Sequence, residues 1–199
     1  MRVIGITGGV GSGKTEVLEY LAKNYECTVI QADEVAHLLM KPGKECYREV
    51  INLLGPDFTD ETGEMDRSKV SSVVFRDPEV RKKVNGIVHP AVKKYITKSI
   101  EMERKDETPY VFVEAALLIE DKYDEICDEL WYIYADELVR RERLTETRGY
   151  TAHKIDEIMA SQLTEDEFEE HCDFTIDNSG ELEDMMKRVD MRMNLYETM

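Results

Sequence analysis

The sequence predicts an α/β chain built on a five-stranded parallel sheet, and three observations lead there. Short apolar, β-branched runs recur along the 199 residues. Helical patterns separate most of them, and the first run passes through a glycine loop directly into a helix. Alternating strands and helices imply parallel pairing through right-handed crossovers.

Taken in order, residues 2–7 (RVIGIT) are apolar, β-branched and closed by glycines, the pattern of a buried strand. Residues 14–25 place Val17, Leu18, Leu21 and Tyr25 on one helical face and pair Glu19 with Lys23 on another. CTVIQ (27–31) reads as the second strand, YVFVEAALL (110–118) opens with the third, LWYIYA (130–135) is the fourth and DFTI (173–176) a short fifth. Residues 32–109, between strands two and three, far exceed one crossover helix, so a segment is inserted there. Its residues 44–54, 67–75, 77–88 and 91–105 read as helices, with loops at 41–43 and 55–66. A second helical stretch covers 136–171. The last segment sets Leu182, Met185, Met186, Val189, Met193 and Tyr196 at helical period, so its methionines read as core.

Composition narrows the function. With 42% hydrophobic and 35% charged residues the chain is of the soluble globular type, and no apolar run approaches the roughly 18 residues of a membrane span. The N-terminus enters a strand without a signal-peptide pattern, so a cytoplasmic protein with no membrane partner is expected. A net charge of −17 argues against a nucleic-acid partner, although a local cationic pocket for a small phosphorylated ligand remains compatible with it. Cys27, Cys46, Cys127 and Cys172 form no metal-ligand spacing with the four histidines and read as reduced, packed thiols.

Residues 8–15, GGVGSGKT, fit G-x-x-x-x-G-K-[ST] in full, between a strand and a helix as the motif requires. Glycines let successive N–H groups of Gly9, Val10, Gly11, Ser12 and Gly13 turn toward phosphate oxygens, and the following helix adds its positive end. Lys14 then reaches the β and γ phosphates, the Thr15 hydroxyl holds Mg²⁺, and the Glu16 N–H lies near the α phosphate. Nucleotide binding with Mg²⁺ is therefore expected, and transfer is a separate question. A guanine-reading N-K-x-D begins at none of Asn24, Asn52, Asn85, Asn178 or Asn194, which sets a GTP switch aside.

Asp33 follows the second strand, at the sheet edge that also carries the loop in a parallel arrangement. It reads equally as the N-cap of a helix over 34–40 and as a carboxylate that accepts a hydroxyl proton. His37 lies one turn on; its E-x-x-H context lacks the second copy a di-iron site needs. His89-Pro90 reads as a helix start. Glu114 ends a strand where a magnesium-assisting acid or a plain exposed glutamate would both fit. Arg140 and Arg141 have acids at i−4, Asp136 and Glu137, so surface ion pairing explains them. Arg143 and Arg148 are better placed to clamp a transferring phosphate, with a solvated helical face as the other reading.

The chain resembles the dephospho-coenzyme A kinase family. GITGGVGSGKT, QADEVAH, KPG, GEMDRSKV, VHPAV, VEAALLIE, RLTETRG, IMASQ and DFTIDNSG stand in that family's order over nearly the whole length. The resemblance implies a three-layer P-loop kinase fold, with core residues 1–32 and 110–199, a helical acceptor-binding insertion over about 33–109 and a helical lid over about 136–165. It implies ATP-dependent phosphorylation of the ribose 3′-hydroxyl of dephospho-coenzyme A. Asp33 would be its base or orienting carboxylate, with Lys14, Arg143 and Arg148 on the phosphates. His37, Arg67, His89, Pro90, Leu117 and Arg140 would lie on the acceptor side, and Asn178 near the adenine. The chain departs from the family at Gln31, commonly aspartate, and at Ala116, commonly proline. It also spaces Arg143 and Arg148 one residue wider.

Overall fold

The computed structural model describes residues 1–197. Five strands form one sheet: β1 (Arg2–Thr7), β2 (Cys27–Gln31), β3 (Tyr110–Glu114), β4 (Glu129–Tyr134) and β5 (Phe174–Asp177), in the order β2-β3-β1-β4-β5. β1 pairs in parallel with β3 and β4, and β4 with β5. The helices among the described residues are α1 (Lys14–Asn24), α2 (Ala32–Leu39), α3 (Glu45–Leu54), α4 (Arg67–Arg76), α5 (Pro78–Lys105), α6 (Glu137–Arg148), α7 (Ala152–Ala160), α8 (Glu165–His171) and α9 (Leu182–Glu197).

The chain divides into two compact units, Met1–Val29 with Glu103–Met199, and Ile30–Met102. In the first, alternate strand residues face opposite sides. Ile4, Ile6, Phe112, Trp131, Ile133 and Ile176 pack against Val17, Leu18 and Leu21 of α1 and Met185, Val189 and Met193 of α9. On the other face Tyr132 stacks on Phe168 of α8 at 4.7 Å between ring centroids. Leu182, expected in the α9 core stripe, is instead exposed as the first residue of the helix, and the buried stripe begins at Met185.

A buried carboxylate closes the sheet end where β1 and β4 begin. Glu129 accepts from Trp131 Nε1 at 2.9 Å, Arg192 Nε at 2.7 Å and the Tyr196 hydroxyl at 2.5 Å, and Arg2 lies at 3.5 Å. A second polar tie joins α1 to α9: Asp190 accepts from the Tyr20 hydroxyl at 2.8 Å and the Tyr25 hydroxyl at 2.6 Å. All four cysteines are free thiols.

The second unit corrects two local expectations. Residues 77–88 and 91–105 are one helix, α5, which runs through Pro90. Proline removes the bond to the Gly86 carbonyl and costs about 3 kcal/mol. Val84, Val88, Val92, Ile96 and Ile100 form an unbroken buried stripe at spacing four, while Pro90 is exposed. At roughly 1.5–3 kcal/mol for each buried side chain, that stripe outweighs the lost bond. The second correction concerns Asp33. α2 begins at Ala32 with Gln31 as its extended N-cap, so Asp33 is the second helical residue rather than the cap, and no side chain caps this helix.

Candidate phosphate-binding site

The glycine loop is shaped by what surrounds it. Gly8 has φ 149°, and a Cβ there would lie 2.3 Å from the Ile133 backbone oxygen, so only glycine lets β1 leave the sheet this close to β4. Gly13 sits in the left-handed region at φ 92° as the N-cap of α1, again without a side-chain cap. The first N–H groups of α1 lack intrahelical acceptors by construction and are turned to the loop mouth. Lys14 folds back over the loop and donates to Gly8 O at 2.9 Å and Gly9 O at 3.4 Å. Thr15 and Glu16 are exposed in the first helical turn.

Two side chains from distant elements hold the loop carbonyls. Asn178, just after β5 and only 3% exposed, donates Nδ2 to Ser12 O at 2.8 Å. Arg140 of α6 donates Nε to Val10 O at 2.9 Å. A trans peptide is planar with C=O and N–H opposed, so each tie turns the next N–H, Gly13 and Gly11 respectively, away from the tethering side chain. Asn178, expected near an adenine, is thus seen as a tether on the loop itself.

Arg140 corrects the ion-pair expectation. Asp136 is the non-helical N-cap of α6, so its carboxylate leaves the i,i+4 face and accepts from the Tyr134 hydroxyl at 2.7 Å instead. The guanidinium of Arg140 lies flat over Gly9, where a Cβ would come within 2.5 Å of its Cζ. Arg141 does pair as expected, with Glu137 and also with Asp156, both at 2.7 Å.

Arg143, one turn beyond Arg140, donates Nη2 to Asn178 O at 2.8 Å, and its Nη1 is buried without a partner in the protein. The Ser12 hydroxyl, 1% exposed inside the loop, is likewise unpartnered. A buried donor left unpaired costs about 1–3 kcal/mol, so a guanidinium N–H orphaned beside a phosphate loop suits an anionic ligand. Arg148 is exposed at the last residue of α6, which ends in a left-handed Gly149.

Gln162, which sequence reading did not single out as a site residue, also meets the loop. Its Oε1 accepts from Val10 N–H at 3.0 Å and from Arg140 Nη2 at 3.2 Å. No periodic pattern marks it, because it follows the end of α7 and its partners are 152 and 22 residues away in sequence.

In the second unit Asp33 and His37 are exposed on α2, and Arg67 is the exposed first residue of α4 behind its Asp66 cap. His89 is half-buried and Pro90 exposed within α5. Leu117 is 38% exposed in the turn after β3, in the first unit. Glu114 ends β3 in register with Ile6. Among the described residues no group of three or more His, Cys, Asp or Glu side chains is arranged to hold a metal, and no helix is long and apolar enough to cross a membrane.

Comparison with known proteins gives a consistent result. A family model described as dephospho-CoA kinase matches residues 2–184. A dephospho-CoA kinase of Symbiobacterium thermophilum is 33% identical over 183 residues, 92% of this chain and 76% of that one. A solved Thermus thermophilus structure superposes with a TM-score of 0.81 at 28% identity, covering 100% of this chain and 98% of its own. A Campylobacter jejuni dephospho-CoA kinase structure gives 0.74 at 19% identity, covering 100% and 99%, and supports the fold alone.

Proposed function

Because this chain belongs to the dephospho-CoA kinase family, we propose that it transfers the γ-phosphoryl group of ATP to the ribose 3′-hydroxyl of dephospho-coenzyme A, giving coenzyme A and ADP. The observation that carries this reading is the phosphate loop with two arginines of one helix, Arg140 bonded to the loop itself and Arg143 to Asn178, which tethers the loop. Together they offer fixed charge where a transferring phosphoryl group needs it.

In this reading Lys14 and the loop N–H groups other than those of Val10, which donates to Gln162, and Ser12, which donates to Gly9 O, hold the β and γ phosphates, while the arginines neutralise charge on the equatorial oxygens. The acceptor oxygen forms a bond to γ-phosphorus as the bond to the ADP oxygen breaks, and ADP takes the electron pair. The hydroxyl proton passes to the Asp33 carboxylate, which also orients the acceptor. Mg²⁺ would neutralise the β and γ phosphates when bound. The described residues offer no carboxylate cage of their own, so the ion fits as a partner of the nucleotide held by the Thr15 hydroxyl. His37, Arg67, His89, Pro90 and Leu117 are assigned to the acceptor side, and Arg148 to the lid.

The test is ADP release with Mg²⁺ and ATP, comparing dephospho-coenzyme A with AMP, CMP, adenosine, pantetheine phosphate and no acceptor. Selective stimulation by dephospho-coenzyme A, with one phosphate added by mass, is expected. Selective stimulation by a different acceptor would discard the substrate, and none by any acceptor would discard the transferase.

A further inference from the structure

We infer that Gln162 is a positioning residue for phosphoryl transfer, acting through Arg140. Three hydrogen bonds close a ring around a single residue of the loop. Val10 N–H donates to Gln162 Oε1, Arg140 Nη2 donates to the same oxygen, and Arg140 Nε donates to Val10 O. Both backbone groups of Val10 are therefore engaged by one arginine–glutamine pair from α6 and the segment after α7.

The ring also sets the rotation of the guanidinium. Of its five N–H donors, the Nε hydrogen and one Nη2 hydrogen are committed to Val10 and Gln162. Its plane lies over Gly9, where Nη1, Nη2 and Cζ fall within 2.8 Å of an ideal Cβ position. What is left to present is the two Nη1 hydrogens and the second Nη2 hydrogen, a fork of the geometry that binds two phosphate oxygens at once. With the single bond to Val10 O, the long side chain could pivot about Nε. The second bond, to Gln162, removes that freedom before substrate arrives.

A residue that works this way affects the transition state more than nucleotide affinity, because the loop N–H groups and Lys14 hold the ground-state phosphates whichever way Arg140 points. Its effect on turnover also vanishes once Arg140 is gone, although its bond from Val10 N–H remains. That second property separates positioning through Arg140 from simple support of the loop.

The experiment is a double-mutant cycle of Gln162→Met and Arg140→Met in the full chain, with kcat, KM for ATP, ADP affinity by titration and unfolding temperature measured for each. Methionine matches the volume of glutamine and lacks its acceptor oxygen; if Gln162→Met melts several degrees early, Gln162→Ala takes its place in the cycle. Expected are a roughly tenfold loss of kcat for Gln162→Met with KM within about twofold, and a loss on the order of 10²–10³ for Arg140→Met. The double variant should match Arg140→Met within a factor of about two. Losses that multiply, a change confined to KM or ADP affinity, or an unaltered kcat would each overturn the inference. It rests on the kinase reading, and the parent enzyme separates the two. Failure of dephospho-coenzyme A to stimulate the parent rejects that reading, and the same cycle is then run on acceptor-free ATP hydrolysis, where the same pattern decides the role of Gln162.

Discussion

Replacing Asn178 by alanine tests the claim that the loop is held from outside by side chains. The substitution removes the 2.8 Å bond from Nδ2 to Ser12 O at a position 3% exposed. The net hydrogen bond is worth about 1 kcal/mol, and the abandoned buried carbonyl adds roughly 1–3 kcal/mol, so a loss of about 2–4 kcal/mol is expected. For a chain of this size each kcal/mol moves the midpoint by about 2–4 °C, which gives a Tm lower by about 4–16 °C. The Arg143 bond to the Asn178 backbone oxygen survives the change, so the effect is assigned to the tether. The released Ser12–Gly13 peptide no longer holds its N–H in the loop. A charge-assisted bond of roughly 1.5–3 kcal/mol to phosphate is then weakened, and ATP should bind about tenfold or more weakly. Scanning calorimetry and titration of a non-hydrolysable ATP analogue measure both. A midpoint within about 1 °C of the parent, together with unchanged nucleotide affinity, would refute the tether.

Three further outcomes follow from other parts of the molecule. Asp33→Asn should retain ATP binding and lose turnover by roughly 10² or more, since amide cannot take the hydroxyl proton; near-normal turnover would remove Asp33 from the mechanism. Glu129→Ala strips the acceptor from Trp131, Arg192 and Tyr196 in a buried setting and should cost about 3–5 kcal/mol in denaturant melts. Glu129 is in register with Ile4 of β1, about 13 Å along the strand from the loop at its end, so kcat of the folded variant should be unchanged. Tyr196 is pushed up to about 12, first by burial and then by Glu129 accepting its hydroxyl. The unfolded phenol titrates near 10. A raised folded value means that this stability is complete below pH ~10 and is lost as pH rises toward about 12. Tyr196→Phe should therefore show a shallower fall of Tm between pH 9 and 11 than the parent, and equal slopes would count against the assignment.

The elements that sequence reading located well are those whose signal is local. β1, α1, β2, β3, β4, β5 and α9 each carry a period or a glycine stop within their own residues, and the structure places them within one or two residues of expectation, with β3 at the opening of its apolar run. Pro90 misled because its cost is local while the stripe that outweighs it, Val84 to Ile100, spans about four and a half turns. Of the two readings of Asp33, the cap fails because N-cap preference belongs to a residue type, whereas the first helical residue depends on where the β2 backbone turns.

By itself the sequence determined the α/β class, the phosphate loop and, through the ordered set of motifs, the family. Each of these rests on residue types at short spacing, where steric and hydrogen-bonding demands act within a few bonds. Only the tertiary structure decided that Arg140 lies on the loop rather than on Asp136, that Asn178 holds Ser12, and that Gln162 closes the ring around Val10. Those contacts join residues more than 100 positions apart, and their partners are chosen by the sheet order that brings the ends of β1, β4 and β5 together.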